Sequence, residues 1–283
     1  MSKHILHVAI LVALIFVEDI ANKRIKKSRS NVNYKNPEEN DDYFEGDIIL
    51  PQDSLRNGRV GETWRWDQGI IPYQIDENIT VTQKEKIHLA IATFHKYTCV
   101  TFRPAQPDDK YRINIIHEKK KICASPVGRQ PAGYQNVTLG DKCRLGNIIH
   151  EFMHVIGFWH EQSRKDRDDH INIILDNIKE GSQRNFEKKD DINFGQMYDY
   201  ESIMHYHSKA FTKNDNITII PKDTSFNKKM GQRIGLSKID ITKINLMYHC
   251  PEKTKAISDS PTKYFVVTRK EYRKGLNHTN QTS

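Results

Sequence analysis

Long apolar runs are scarce in this 283-residue sequence. The segment at residues 5–17, ILHVAILVALIFV, is thirteen residues long. As a helix it would reach about 20 Å, short of a bilayer core of about 30 Å, so it is not read as a spanning helix. We expect a secretory signal peptide over residues 1–21, with Ala21 in the last position and Asp19 an awkward neighbour. More positive charge follows the run than precedes it, which leaves a retained anchor as the competing reading. Basic stretches interleaved with aromatics are also missing, so nucleic acid is not an expected partner. No internal repeat is visible. Cysteine is sparse, with four residues at Cys99, Cys123, Cys143 and Cys250. Four cysteines fit an oxidising compartment and allow three pairings, among which the sequence alone does not choose.

Charge is present but uneven. The formal net charge is +8. Residues 22–36 carry six Lys or Arg and no acid, while residues 37–47 carry six acids and no base. Such blocks are read as solvated, poorly ordered segments. Beyond Cys250 lie seven Lys or Arg against three acids, read as a disordered basic tail. Five Asn-x-Ser/Thr sequons, at Asn78, Asn136, Asn216, Asn277 and Asn280, are compatible with secretion.

The most informative segment is residues 150–168, HEFMHVIGFWHEQSRKDRD. On a helix, His150 and His154 stand one turn apart on one face, close enough to share a metal ion. Glu151 lies about 100° round the axis and reaches a metal-bound water without being a ligand. Gly157 can end the helix in a left-handed conformation and turn the chain back, which lets His160 approach the same ion. Three neutral imidazoles leave zinc an open position, as in catalytic sites. A structural site would close that position with Cys, and none is near.

The long HExxHxxGFxHExxRxDRD pattern, continuing through Glu161, Arg164, Asp166, Arg167 and Asp168, resembles the metzincins and, among them, the astacin family of zinc endopeptidases. Ser202-Ile203-Met204-His205-Tyr206 is similar to that family's Met-turn. The resemblance runs from about residue 57 to Cys250 and includes the LSKIDITKINLMYHC ending. Phe152 stands where the family usually has leucine, a packing change. The resemblance implies an α+β, metzincin-type domain of two lobes: a twisted, mostly parallel sheet with helices in the N-terminal lobe, and an irregular C-terminal lobe. It implies one Zn²⁺ held by His150, His154 and His160, and Glu151 as general base. It also implies Met204 beneath the metal and Tyr206 as a displaceable ligand that can donate to the oxyanion. The pairings it implies are Cys99–Cys250 and Cys123–Cys143.

Phe44-Glu45-Gly46-Asp47 resembles the aspartate switch of astacin zymogens, in which Asp47 would take zinc's open position. Gly46 would let the backbone pass close to the site. The resemblance places the mature start at Asn57, after Arg56, with Arg59 as a second cut, and so implies a trypsin-like activating protease. It also assigns the freed N-terminus to Glu161, for which an ion pair with Arg164 is the alternative. The expected organisation is a signal peptide (1–21), a propeptide (22–56), a catalytic domain (57–250) and the tail (251–283). The thirty-odd residues after Cys250 are too few, and lack the cysteines, for EGF or CUB modules.

Smaller signals fill in the domain. Ile70–Ile75 reads as a strand whose Pro72 suits an edge or irregular position. Thr82-Gln83-Lys84-Glu85 reads as a capping box, followed by the apolar stripe Ile87, Ala90, Ile91 and Phe94. Further strands are expected near 99–102 and 113–117. A clipped loop from Cys123 to Cys143 is expected to carry an edge strand able to bind extended peptides. A last helix is expected to start at Ser237, with Asp240 completing its cap. His88, His95, His205 and His207 are given no metal role. The leading expectation is a secreted, monomeric endopeptidase acting on proteins or peptides, without stable membrane insertion. A catalytically silent homologue serving as an extracellular binding protein and a polyanion-binding protein with structural zinc are the alternatives.

Overall fold

Strand β1 (Ile70–Ile75) sits inside a five-stranded sheet with β2 (Thr101–Pro104), β3 (Arg112–Ile116), β4 (Cys123–Ala124) and β5 (Tyr134–Leu139). The order is β2-β1-β3-β5-β4, parallel throughout except for the antiparallel β4–β5 pair. The computed structural model describes residues 36–50, 64–118, 121–190, 193–251, 257 and 260–279. The expected signal peptide, the junctions at Arg56 and Arg59, the start at Asn57, the basic run up to residue 35 and Asn280 lie outside them. Among the described residues no helix is long and apolar enough to cross a membrane.

Pro72 proves to lie in an interior strand, and the hydrogen-bond directions explain how. Tyr73 O accepts from Ala105 N on the β2 side at 2.8 Å, while Asp76 N donates to Ile115 O on the β3 side at 2.9 Å. Backbone groups alternate along a strand, so residue 72 faces β3, whose pairing begins only at Tyr73↔Ile113. The missing N–H therefore removes no ladder bond.

Helix α1 (Val81–Tyr97) covers the sheet with Ile87, Ala90, Ile91 and Phe94, each 6 % exposed or less. Its cap is Thr80, not Thr82. Thr80 has the extended backbone an N-cap needs, and its Oγ1 accepts from Gln83 N at 3.2 Å. The same spacing occurs twice in TVTQKE, and the earlier threonine wins. Helix α2 (Leu145–Ile156) is buried on every side from Gly146 to Ile156. Phe152 fills the core as an aromatic: its ring stacks on Phe102 at 4.8 Å and meets Phe94 at 6.3 Å.

After His160 the chain becomes short turns and a small antiparallel sheet, β6 (Ile171–Ile173) with β7 (Ile219–Pro221). Ile171, Ile178, Phe186, Tyr206, Phe211 and Ile219 form a second apolar cluster there. Helix α3 (Lys238–Met247) starts from Ser237 with the expected reciprocal cap to Asp240. The cysteines pair Cys99–Cys250 and Cys123–Cys143, resolving the three possibilities.

Two further expectations fail. Helix α3 is not the last, because α4 (Arg269–Thr279) follows it. Nor is the tail disordered over residues 260–279. Phe265 exchanges backbone hydrogen bonds with Leu236 at 2.8 and 3.1 Å, and its ring meets Tyr97 edge-on at 5.1 Å. Val267 N donates to Thr93 Oγ1 at 3.0 Å. The apolar run Tyr264–Val267 supplies an anchor that a count of basic residues does not register.

Candidate metal centre

Helix α2 presents His150 and His154 one turn apart, their ring centroids 4.8 Å from each other. Gly157 ends the helix at φ 118°, and its N–H donates to His154 O at 2.8 Å. Sterics select glycine there a second time: a Cβ would meet the Trp64 ring at 2.0 Å. The reversal brings the His160 ring to 4.7 Å from His154 and 5.2 Å from His150.

The fourth arm is Asp47. Its Oδ2 lies 3.1 Å from His150 Nε2 and 3.3 Å from His160 Nε2, and its Oδ1 lies 3.5 Å from His154 Nε2. All four side chains are fully buried. Each ring is oriented from behind by its other nitrogen, which donates to an oxygen: His150 Nδ1 to Ile203 O at 2.8 Å, His154 Nδ1 to Phe158 O at 2.7 Å, and His160 Nδ1 to Glu45 Oε2 at 2.7 Å. The Nε2 lone pairs therefore point at one centre.

Zinc fits this set. Tetrahedral bonds of about 2 Å separate ligand atoms by about 3.3 Å, and the observed spacings are 3.1–3.5 Å. His154 Nε2 and Asp47 Oδ1 are buried with no hydrogen-bond partner, which a cation would supply. Among the described residues, both groups able to hold a metal include His150, and this is the one that contains the whole triad.

Glu151 is fully buried beside the triad, and neither carboxylate oxygen has a hydrogen-bond partner. Burial, with Asp47 and Glu38 nearby, pushes its carboxyl well above the usual range. For His160, burial pulls the other way, but the Asp47 and Glu45 carboxylates outweigh it and raise the ring to about 9 when no cation is bound; a metal ion would take the place of the Nε2 proton. Tyr206 stands against His160, centroids 4.7 Å apart, and its hydroxyl donates to Glu45 O at 2.6 Å. Met204 is buried in the core, and its carbonyl accepts from Glu161 N at 3.0 Å. The turn is fixed by Asp240, which accepts from Ser202 Oγ at 2.6 Å and Ile203 N at 2.9 Å while also capping α3.

The family model for Astacin, a peptidase family, matches residues 59–249. This chain belongs to the astacin family. It is 38 % identical to human meprin A subunit beta over 213 residues, 74 % of this chain and 30 % of that protein. It is 44 % identical to the Caenorhabditis elegans zinc metalloproteinase nas-14 over 201 residues, 68 % of this chain and 39 % of that one. The chain thus spans about a third of the length of these curated relatives. Among solved structures it is similar to high choriolytic enzyme 1, a hatching enzyme zinc-protease from Oryzias latipes. The TM-score is 0.62 at 33 % identity, covering 69 % of this chain and all of that one. The fold is that of the astacin zinc proteases, and the family's metal is zinc.

The acidic block before Asp47 is solvated only at Asp41 and Asp42, contrary to the composition-based expectation for the rest of it. Glu38, 3 % exposed, accepts from Arg233 at 2.6 Å and from Asn147 Nδ2 at 2.6 Å. Glu39 pairs with His207 at 2.5 Å, Asp41 with Lys179, and Glu45 accepts from His160. Glu38, Glu39, Asp41 and Glu45 each meet a basic side chain distant in sequence, a pairing that a one-dimensional charge count cannot register. Gly46 adopts φ 86° where a Cβ would lie 2.4 Å from Glu38 O. Alongside, Ser125 N donates to Asp47 O at 2.9 Å and Ile49 N to Ser125 O at 3.0 Å. The segment thus runs parallel beside the residue that follows β4, the sheet's edge strand.

Glu161 is buried and pairs with Arg164 at 3.0 Å, and also with Lys243 at 2.6 Å, a partner the sequence did not reveal. His205 is buried too, accepting from Tyr198 Oη at 2.8 Å, and takes no part in the metal set. Asn78, Asn136 and Asn216 are exposed.

Proposed function

We propose that this chain is a secreted astacin-type zinc endopeptidase made in latent form, with Asp47 standing where the reactive water of the mature enzyme would sit. The observation that carries this reading is the convergence of one prosegment carboxylate on all three imidazoles. Bound zinc would supply Lewis acidity toward a peptide carbonyl and a water of lowered pKa. His150, His154 and His160 hold the ion. Glu151, buried and without a competing partner, accepts the proton of the attacking water and returns it to the departing amine. Tyr206, once Glu45 leaves with the prosegment, is free to donate its hydroxyl to the developing oxyanion, a contact worth about 3 kcal/mol. A protein or peptide substrate lies along the sheet edge that the prosegment now occupies.

Activation removes residues 22–56 by a trypsin-like cut after Arg56, leaving the catalytic domain of residues 57–250 with the docked tail still attached, which works as a monomer. A signal peptide over residues 1–21 directs secretion. The two disulfides and the exposed sequons, which we take as glycosylation sites, support an extracellular location. The test is Glu151→Gln after processing. Zinc should be retained while cleavage of a quenched fluorescent peptide falls by about a hundredfold or more. If the processed wild type holds zinc and cleaves no protein or peptide, the reading as a silent binding homologue takes its place.

A further inference from the structure

We infer that residues 263–267, which lie beyond the family match, are a strap that fixes the segment 232–237 and holds Arg233 at the cleft, making the tail part of how substrate is selected. The inference rests on the proposal that the chain is a peptidase freed of its prosegment.

Arg233 closes on Glu38 in the uncut chain, with Nε at 2.8 Å and Nη2 at 2.6 Å. One oxygen of that carboxylate lies within 4.8 Å of a ring nitrogen of His150 and of a carboxylate oxygen of Glu151, so the pair sits beside the reacting centre. Once the prosegment leaves, Arg233 faces that place without its partner. An acidic side chain next to the scissile bond restores the pair, and charge-assisted bonds from a guanidinium are strong and directional. How well it does so depends on where residue 233 is held. Its Nη1 donates to His205 O at 3.2 Å and to Gln232 O at 2.9 Å. Gln232 Nε2 in turn donates to Glu201 O at 2.8 Å and to Gly235 O at 2.9 Å.

The strap backs this segment from behind. Lys263 Nζ pairs with Glu201 at 2.6 Å, directly before the turn that carries Met204 and Tyr206. Phe265 exchanges its two backbone bonds with Leu236. Gly235 packs so closely beneath that a Cβ there would stand 2.7 Å from Phe265 O and 3.1 Å from Val266 Cβ. On its far side the strap rests on α1, through the Phe265 ring against Tyr97 and Val267 N on the buried Thr93 hydroxyl. Residues 232–237 are thereby braced against the helix that covers the sheet. Helix α4 adds exposed ion pairs, Lys96–Glu271 at 2.8 Å and Arg269–Glu85 at 3.1 Å, and such pairs contribute little. Phe265 and Lys263 touch no reacting atom. They are positioning residues that act on Arg233 through Leu236 and Glu201.

The experiment uses the zinc-loaded full chain, its prosegment removed at a site-specific cleavage sequence engineered before Asn57 and its tail verified whole by mass. Quenched fluorescent peptides that differ only in carrying Glu or Gln at each position around the cut give kcat and KM. Wild type should bind the Glu peptide more tightly than its Gln twin at one position. Phe265→Ala removes the anchor, and Gly235→Ala pushes the strap away with its methyl. Each should raise KM for that Glu peptide about fivefold or more, leaving kcat and the KM of the Gln twin within about twofold. Arg269→Gln combined with Arg273→Gln, which loosens α4 alone, should change neither. In the uncut chain both strap variants should also speed amide hydrogen exchange across residues 232–236. An equal rise for both twins, an unchanged KM, or no position at which wild type favours Glu would overturn the inference. Should Phe265→Ala not fold, Gly235→Ala decides. If no form cleaves although zinc stays bound, the peptidase reading fails, while the exchange rates still judge the strap.

Discussion

In the latent form proposed above, replacing Gly46 with alanine should perturb latency without touching the mature enzyme, because residue 46 would depart with the prosegment. Two costs can be worked from the structure. The residue adopts φ 86°, and holding an L-residue in the left-handed region costs about 1–2 kcal/mol. The new Cβ would stand 2.4 Å from Glu38 O and 2.7 Å from Phe211 Cζ. Relieving an overpacked contact of that kind adds about 1–3 kcal/mol. The sum, about 2–5 kcal/mol, lowers the ratio of docked to undocked prosegment by roughly thirtyfold to a few thousandfold, at 1.4 kcal/mol per tenfold. With Arg56 and Arg59 both changed to Gln to block processing, the uncut Gly46→Ala chain should hydrolyse a fluorescent peptide at least about thirtyfold faster than its uncut parent. After the prosegment is removed through an engineered cleavage site, kcat/KM should be identical for the two. An unchanged basal rate in the uncut variant would refute the argument that tight passage through Gly46 holds Asp47 on the metal.

Two further outcomes follow from buried charge. Glu38→Ala leaves the Arg233 guanidinium, packed against Glu38 at 2.6 Å, without its carboxylate. The uncut chain should lose about 3 kcal/mol of stability by thermal melting while the processed form is unaffected. Burial, then the Asp240 and Glu161 charges, raises Asp199 from 3.8 to about 7. The folded state therefore keeps a proton that the unfolded chain has lost between those values, so this group's contribution makes stability fall as pH rises from about 4 to 7 and stay lower above. Asp199→Asn should flatten the difference between urea melts at pH 5 and pH 8, and an unaltered slope would refute the assignment.

Local spacing was enough to foresee the metal-binding helix, because His150 and His154 are separated by one turn and Gly157 marks where the chain must reverse. The strand at Ile70–Ile75 and the Ser237 cap were equally legible, each being decided within a few residues. What sequence did not disclose depends on partners far away along the chain. Lys243 and Glu161 are 82 residues apart, and Glu38 and Arg233 are 195 apart. No window over the acidic block contains the cations that bury it. The Thr80 cap was missed for the opposite reason, since two threonines offered the same local pattern and only backbone direction separates them. Pro72 points to an edge or irregular position when read alone, because where β3 begins to pair with β1 is decided by residues some forty positions away.

Residues 260–279 alter where this protein can safely be shortened. The family match stops at residue 249, a natural-looking terminus for anyone preparing the catalytic unit alone. Yet Phe265 and Val267 are only 3 % and 5 % exposed, lodged against Leu236, Tyr97 and Thr93. Ending the polypeptide at the second partner of the Cys99 bridge would uncover that seam to water, with an unsatisfied Leu236 amide at its rim. The trimmed product would carry a sticky stripe prone to self-association.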